Sequence, residues 1–515
     1  MKKTKLFALC ALIVCFACLF TACSSGGKIY NEKTYEAAND VNLYTSAQKL
    51  DMDGYSFSAT RGSLVLFSKQ TLTNAKYFRV YDMAKNTMIG EYNDSTVTDV
   101  TLGGLTVDGE TIPFYTVTYA SMSLTEEEIT YRFVLYTASG EKIAEYTDED
   151  LPQNVTKVYQ DLLVFDDVAY RFTADGKYEK AFDLTDLNGS IPNVQQKVDS
   201  YYYLFDENEI TAYDKDMKPV FYYKIPLYAT NVSTLVLENG NILLQYYVEK
   251  FDEDKDYDVL QKVNANWKKY DLKQMILTVK NGKVKEMDAE YVLLGGVNRK
   301  TNPDVFNGLN KKFDNYAAVY KIENKYVLDD EMKLAILGND GKVDAWVTDF
   351  AEEWMTVQVM RSTRIVTSGL DRAYLYTYGG KQIGEITGYF AITEKFIVGE
   401  NAIYDLDLNP VLDLKTKEYA FEDTLGENVL LTDKEGNEIL FTGTEKSLGA
   451  GADVTRLNGD ELYTVKNGTV YTLYNSDGVA VNMTSNAAIQ ARATYEGFAI
   501  VSTVENENAV YYRLS

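Results

Sequence analysis

The chain has 515 residues, with 76 acidic against 51 basic side chains and no histidine. A net charge of −25 opposes nucleic acid and anionic lipid headgroups. The missing histidine excludes Ser-His-Asp and Cys-His catalysis and removes the commonest zinc ligand. Forty-two tyrosines and 22 phenylalanines against seven prolines point to half-buried strands, not to a proline-rich stalk.

The chain opens with Lys2, Lys3 and Lys5, followed by an apolar run from Leu6 to Phe20. That run is short for a membrane-spanning helix, which needs about 20 residues. A basic leader, a short apolar core and small residues before a cut site form the pattern of an export signal. Thr21 and Ala22 precede Cys23. The segment resembles the bacterial lipobox, although Phe20 replaces the commonest first residue. The resemblance implies cleavage after residue 22 and a diacylglycerol thioether on Cys23. Cys10, Cys15 and Cys18 leave with the signal, so the body has no thiol to pair. Residues 23–44 then read as a lipidated N-terminus and tether that starts Ser24, Ser25, Gly26, Gly27.

From residue 45 onward one phrase recurs: an alternating apolar stretch, a polar turn and a second alternating stretch. It starts at 77, 132, 169, 210, 276, 333, 373, 402, 429 and 470. Ser139-Gly140, Asp175-Gly176, Asn281-Gly282 and Asp477-Gly478 supply residues that tolerate positive φ. Period-two alternation with apolar bulk on both faces predicts stacked antiparallel sheets. A four-stranded blade usually takes about 40–50 residues. The two short spacings therefore read as two hairpins of one blade, and the expectation is an all-β propeller of seven or eight blades over 45–515. A pair of β-sandwich or β-roll domains is the rival. VNLYTS at 41–46 is a candidate strand to complete the last blade. Irregular stretches at 248–274, 295–316 and 121–130 read as long connections, and Asp349 to Val357 as one short helical turn.

Within the first connection Asp252, Asp254, Asp256 and Asp258 alternate like early calcium ligands. Tyr257 and Val263 stand where an EF-hand loop needs glycine and glutamate, and Lys255 interrupts the run, so a solvated charge run is expected and no metal. The aromatic clusters Tyr201, Tyr202, Tyr203 and Phe205, then Phe221, Tyr222 and Tyr223, then Tyr246 and Tyr247 read first as core. Their second reading is a platform for a glycan or peptide, with Tyr202, Tyr257 and Trp267 as candidate partner contacts. Trp346 and Trp354 are scattered, and the S-x-x-K spacing of Ser46 and Lys49 reads as chance. No phosphate-cradling glycine loop is present, so neither nucleotide nor other cofactor is expected.

Together these residues point to a lipid-anchored extracytoplasmic protein that binds or scaffolds an envelope protein or a polysaccharide without chemistry. Two alternatives stay open. A carboxylate-based glycoside hydrolase needs only two acids, and an accessory or sensor subunit of a membrane complex needs only a docking face.

Overall fold

The structure is a computed structural model that describes most of residues 44–515. Residues 1–43, 123–128, 149–155, 250–269, 301–314, 350–355 and several shorter runs lie outside the described residues. The chain is all-β and built of propeller-type blades. Among the described residues there are eleven four-stranded antiparallel sheets. Ten are simple meanders in chain order, numbered here as blades 1 to 10: 56–92, 97–148, 156–183, 196–224, 229–287, 291–349, 356–387, 389–413, 420–450 and 453–485. Blade 11 takes three strands from 490–514 and its fourth, Ala47–Lys49, from the other end of the chain.

The tally exceeds the seven or eight that spacing suggested. Each of the ten recurring phrases belongs to its own sheet, including those separated by the two short spacings. Tight reversals make this compact. Blade 8 places four strands within 389–413. Its turn begins at Asp405, whose Oδ1 accepts from the backbone N–H groups of Asp407 (2.9 Å) and Asn409 (2.8 Å). Asp214 does the same for Asp216 and Lys218, and Asn475 for Asp477 and Val479. The fourth residue of the turn is left-handed, glycine at Gly176 and Gly478 but Met217 (φ 58°) and Leu408 (φ 65°) elsewhere. Side-chain capping of two amides holds a backbone conformation that methionine and leucine otherwise avoid.

The strands of a blade differ in burial. Second strands such as Leu162–Phe165 and Phe396–Gly399 are buried along their whole length, and first strands such as Asp453–Arg456 are largely exposed. A second strand has neighbouring blades on both faces, which explains its continuous apolar run.

The chain divides into two compact units. The sequence, with one phrase repeated throughout, carries no mark of that boundary. The first unit is Ile191–Gly388 and holds blades 4 to 7. Its blades stack through clusters that join blade 4 to 5 (Tyr203, Phe221, Leu244, Met275) and blade 5 to 6 (Leu243, Ile276, Tyr291, Val319). The second joins the described part of Ala37–Ser190 to Tyr389–Ser515 and holds blades 1 to 3 and 8 to 11. There the N-terminal strand pairs with the C-terminal one: Ala47 with Leu514, Gln48 with Arg513, Lys49 with Tyr512. The pairing starts just after the expected 41–46 segment, and Thr45 and Ser46 donate to the Ser515 carbonyl instead. Arg513 fastens blade 11 to blade 1, its Nε donating to the Met83 carbonyl at 2.6 Å. Of the stretch expected to form a helical turn, 350–355 lie outside the described residues, Asp349 ends the strand Val343–Asp349, and Thr356 and Val357 begin the strand Thr356–Met360. The β-branched Thr356 and Val357 favour that pleat. The irregular stretch 248–274 connects the second and third strands of blade 5, whose ends pair at Val248 with Asp271 and Glu249 with Tyr270.

Candidate binding surface

Among the described residues of the first unit, the exposed large apolar side chains are Val220, Tyr222 and Val284 on the outer strands of blades 4 and 5, Leu227 and Tyr228 in the connection between those blades, and Val232 on the first strand of blade 5. The fourth strand of blade 4, Pro219–Lys224, alternates. Phe221 is buried and Tyr223 half-buried on the face packed against blade 5. Val220 (46% exposed) and Tyr222 (55%) lie on the opposite face. The Tyr222 hydroxyl donates to Glu209 Oε1 at 2.7 Å, and that bond pushes the phenol above its ordinary range.

The chain then turns at Pro226, where the Ala229 amide donates to the Pro226 carbonyl at 2.9 Å. Leu227 and Tyr228 form the tip and are 79% and 65% exposed. Tyr223 and Tyr246 share a hydrogen bond, and the Tyr223 hydroxyl also reaches Met275 Sδ at 3.6 Å. Burial, then the neighbouring Tyr223, pushes the Tyr246 hydroxyl up to about 12. Lys273 Nζ donates to Glu286 Oε1 at 2.6 Å, and this bond raises the lysine. Val284 (46% exposed) lies on the same edge strand as Glu286.

That edge strand, Lys283–Met287, borders a cleft of about 420 Å³ between blades 5 and 6, and Glu286 is part of its lining. Its walls include Lys285, Asp288, Glu290 and Lys342. Beneath it lies a buried amide network. Gln245 Nε2 donates to Gln274 Oε1 (2.6 Å) and to the Tyr291 carbonyl (2.8 Å), and its Oε1 accepts from the Leu293 amide (2.7 Å). The Tyr291 hydroxyl donates to the Gly341 carbonyl at 2.7 Å, and burial raises it. The network locks the cleft's floor to both blades.

Of the residues singled out in the sequence, Tyr202 is fully buried and cannot meet a partner. It sits on the second strand of blade 4, where both faces are covered. Tyr203, Tyr246 and Tyr247 are likewise buried, as core packing predicts. Trp346 packs against the core of blades 5 and 6, with Lys321 Nζ 5.4 Å from its ring centre. Lys49 of the S-x-x-K spacing pairs with Glu505 at 3.2 Å, and Ser46 bonds the chain's C-terminal residue. Cys23, Tyr257, Trp267, Trp354, Asp252, Asp254, Asp256 and Asp258 lie outside the described residues. Among the described residues no group of three metal-ligating side chains converges, and no helix is long and apolar enough to cross a membrane. The Leu227–Tyr228 tip was missed in the sequence. Its signal was an apolar pair directly after Pro226, in a connection where polar residues are the rule.

No protein-family model and no curated protein matches the chain. Solved structures similar to it include a eukaryotic initiation factor, at 9% identity over 85% of this chain and 93% of that one, with a TM-score of 0.23. The β-propeller domain of the trilobed protease from Pyrococcus furiosus is 12% identical over 78% of this chain and 97% of its own, with a TM-score of 0.20. An apocarotenoid oxygenase from Synechocystis is 12% identical over 64% and 70%, with a TM-score of 0.22. Likeness at this level carries no argument about activity or ligand.

Proposed function

We propose that this chain is a lipoprotein anchored through Cys23 to the outer face of a bacterial membrane, and that its blades bind or scaffold an envelope protein or a polysaccharide without chemistry. The observation that carries the binding role is the Leu227–Tyr228 tip, where two adjacent large apolar side chains stand in solvent. Exposed apolar groups gathered in one place mark interaction surfaces. The export signal and the thiol at its end support the address. Two acyl chains contribute roughly 0.8 kcal/mol per buried methylene, enough for stable attachment without a second apolar segment.

Metabolic labelling with an alkyne fatty acid, followed by affinity capture in mild detergent, tests both parts. The expected result is label on the wild type, none on Cys23→Ala, and a stoichiometric protein partner or retention on a wall polysaccharide. An unlabelled wild type overturns the anchor. Turnover of a captured polysaccharide overturns the absence of chemistry.

A further inference from the structure

We propose that the cleft between blades 5 and 6 binds a short zwitterionic peptide, one with both termini free, as a site distinct from the Leu227–Tyr228 tip. The cleft holds about 420 Å³, within the range of about 300–1,000 Å³ that small-molecule sites occupy. Two segments form its rim. Lys285 to Glu290 lead from the outer strand of blade 5 to blade 6, and Gly341 and Lys342 belong to the turn between the third and fourth strands of blade 6. The floor is Gln274 (1% exposed) and Tyr291 (fully buried). The Tyr291 hydroxyl and Gln274 Nε2 both donate to the Gly341 carbonyl, at 2.7 and 3.4 Å. The turn that carries Lys342 is thereby tied to both blades, and a site already held in shape loses little freedom when a ligand arrives.

The charges select the ligand. Lys285 and Lys342 line this cleft together with Asp288 and Glu290, yet among the described residues none of the four makes an ion pair or a side-chain hydrogen bond. The remaining rim carboxylate, Glu286, is neutralised by Lys273 at 2.6 Å. The unpaired charges therefore balance, two against two, on a chain whose net charge is −25. A polyanion would be opposed by the carboxylates and a polycation by the lysines, whereas a ligand with one charge of each sign pairs with both sets. Peptide termini supply those charges, the carboxylate to the lysines and the ammonium to Asp288 and Glu290. The amide groups between them both donate and accept, which suits a floor of amide and phenol. A sugar finds no exposed ring to stack on among these lining residues, since Tyr291 is sealed. A single amino acid would leave most of the volume to water.

Titration calorimetry of the full-length protein in mild detergent, with trialanine as the probe, tests the assignment. Trialanine binds the wild type. N-acetyl-trialanine and trialanine amide, each lacking one terminal charge, bind about tenfold or more weakly. Lys285→Gln with Lys342→Gln weakens trialanine by a similar factor and leaves trialanine amide unchanged. Asp288→Asn with Glu290→Gln weakens trialanine and leaves N-acetyl-trialanine unchanged. All four side chains are exposed, so both double variants keep the wild-type thermal melt. The proposal is overturned if trialanine does not bind, if the blocked peptides bind as well as the free one, or if both double variants bind it like the wild type. Alanine binding as tightly as trialanine makes the site one for an amino acid and overturns it too. The role of the tip is read separately, by affinity capture, and survives each of these failures.

Discussion

Replacing Tyr44 with alanine probes how the second unit is closed. Tyr44 is fully buried although it precedes the first strand, and it packs among Leu462, Leu473, Val481, Ile489 and Leu514 of blades 10 and 11. Behind it only three residue pairs join Ala47–Lys49 to the C-terminal strand. Truncating a buried aromatic ring to alanine costs about 3–5 kcal/mol, because contacts are lost and the cavity does not fully collapse. Against a typical stability of about 5–15 kcal/mol, that is a large fraction. Urea unfolding followed by circular dichroism should show the midpoint fall by about 1 M or more. Lys49→Ala, which removes only a solvent-exposed pair with Glu505, should leave the midpoint where it was. A Tyr44→Ala loss below about 1 kcal/mol would refute the reasoning, since a ring in a close-packed core cannot be removed so cheaply.

Gln245→Ala should destabilise the first unit by roughly 1–3 kcal/mol for each partner left unsatisfied, because the Leu293 amide, the Tyr291 carbonyl and Gln274 all lose their bond. Chemical denaturation checks this, and an unchanged midpoint would mean that water replaces the amide. Alkaline pH should unfold the protein. Burial pushes Tyr81, Tyr119 and Tyr246 up to about 12, so the fold holds their neutral forms while the unfolded chain ionises near 10. Their contribution is complete below the unfolded value and is lost as pH climbs from about 10 to about 12. Tyrosinate absorbance and circular dichroism should change together over that range. Full ionisation near pH 10 with the fold retained would refute it.

The legible parts of this protein were local. A turn such as Asp405–Asn409 closes on its own side chain, so its chemistry is written in consecutive residues. Alternation in Val470–Asn475 likewise reports a strand with two covered faces, whatever lies against them. Tyrosine was harder to read. Tyr202 and Tyr222 look alike in sequence, yet one is sealed and the other stands in solvent. The difference is the strand's place in its blade. Tyr202 is on a second strand with neighbours on both faces, and Tyr222 is on an outer strand.

The chain by itself determined the repeated hairpin, the all-β class and a composition without histidine. These follow from residue type and short-range spacing, which survive without any partner in space. Only the tertiary structure decided that the hairpins resolve into eleven sheets among the described residues, that they divide into two units, and that Ala47–Lys49 pairs with the far end of the chain. It alone showed that Tyr222 and Tyr228 stand in water while Tyr202 and Tyr203 are sealed. Pairing register and exposure depend on which distant strand covers which face, and period-two alternation says only that some strand does.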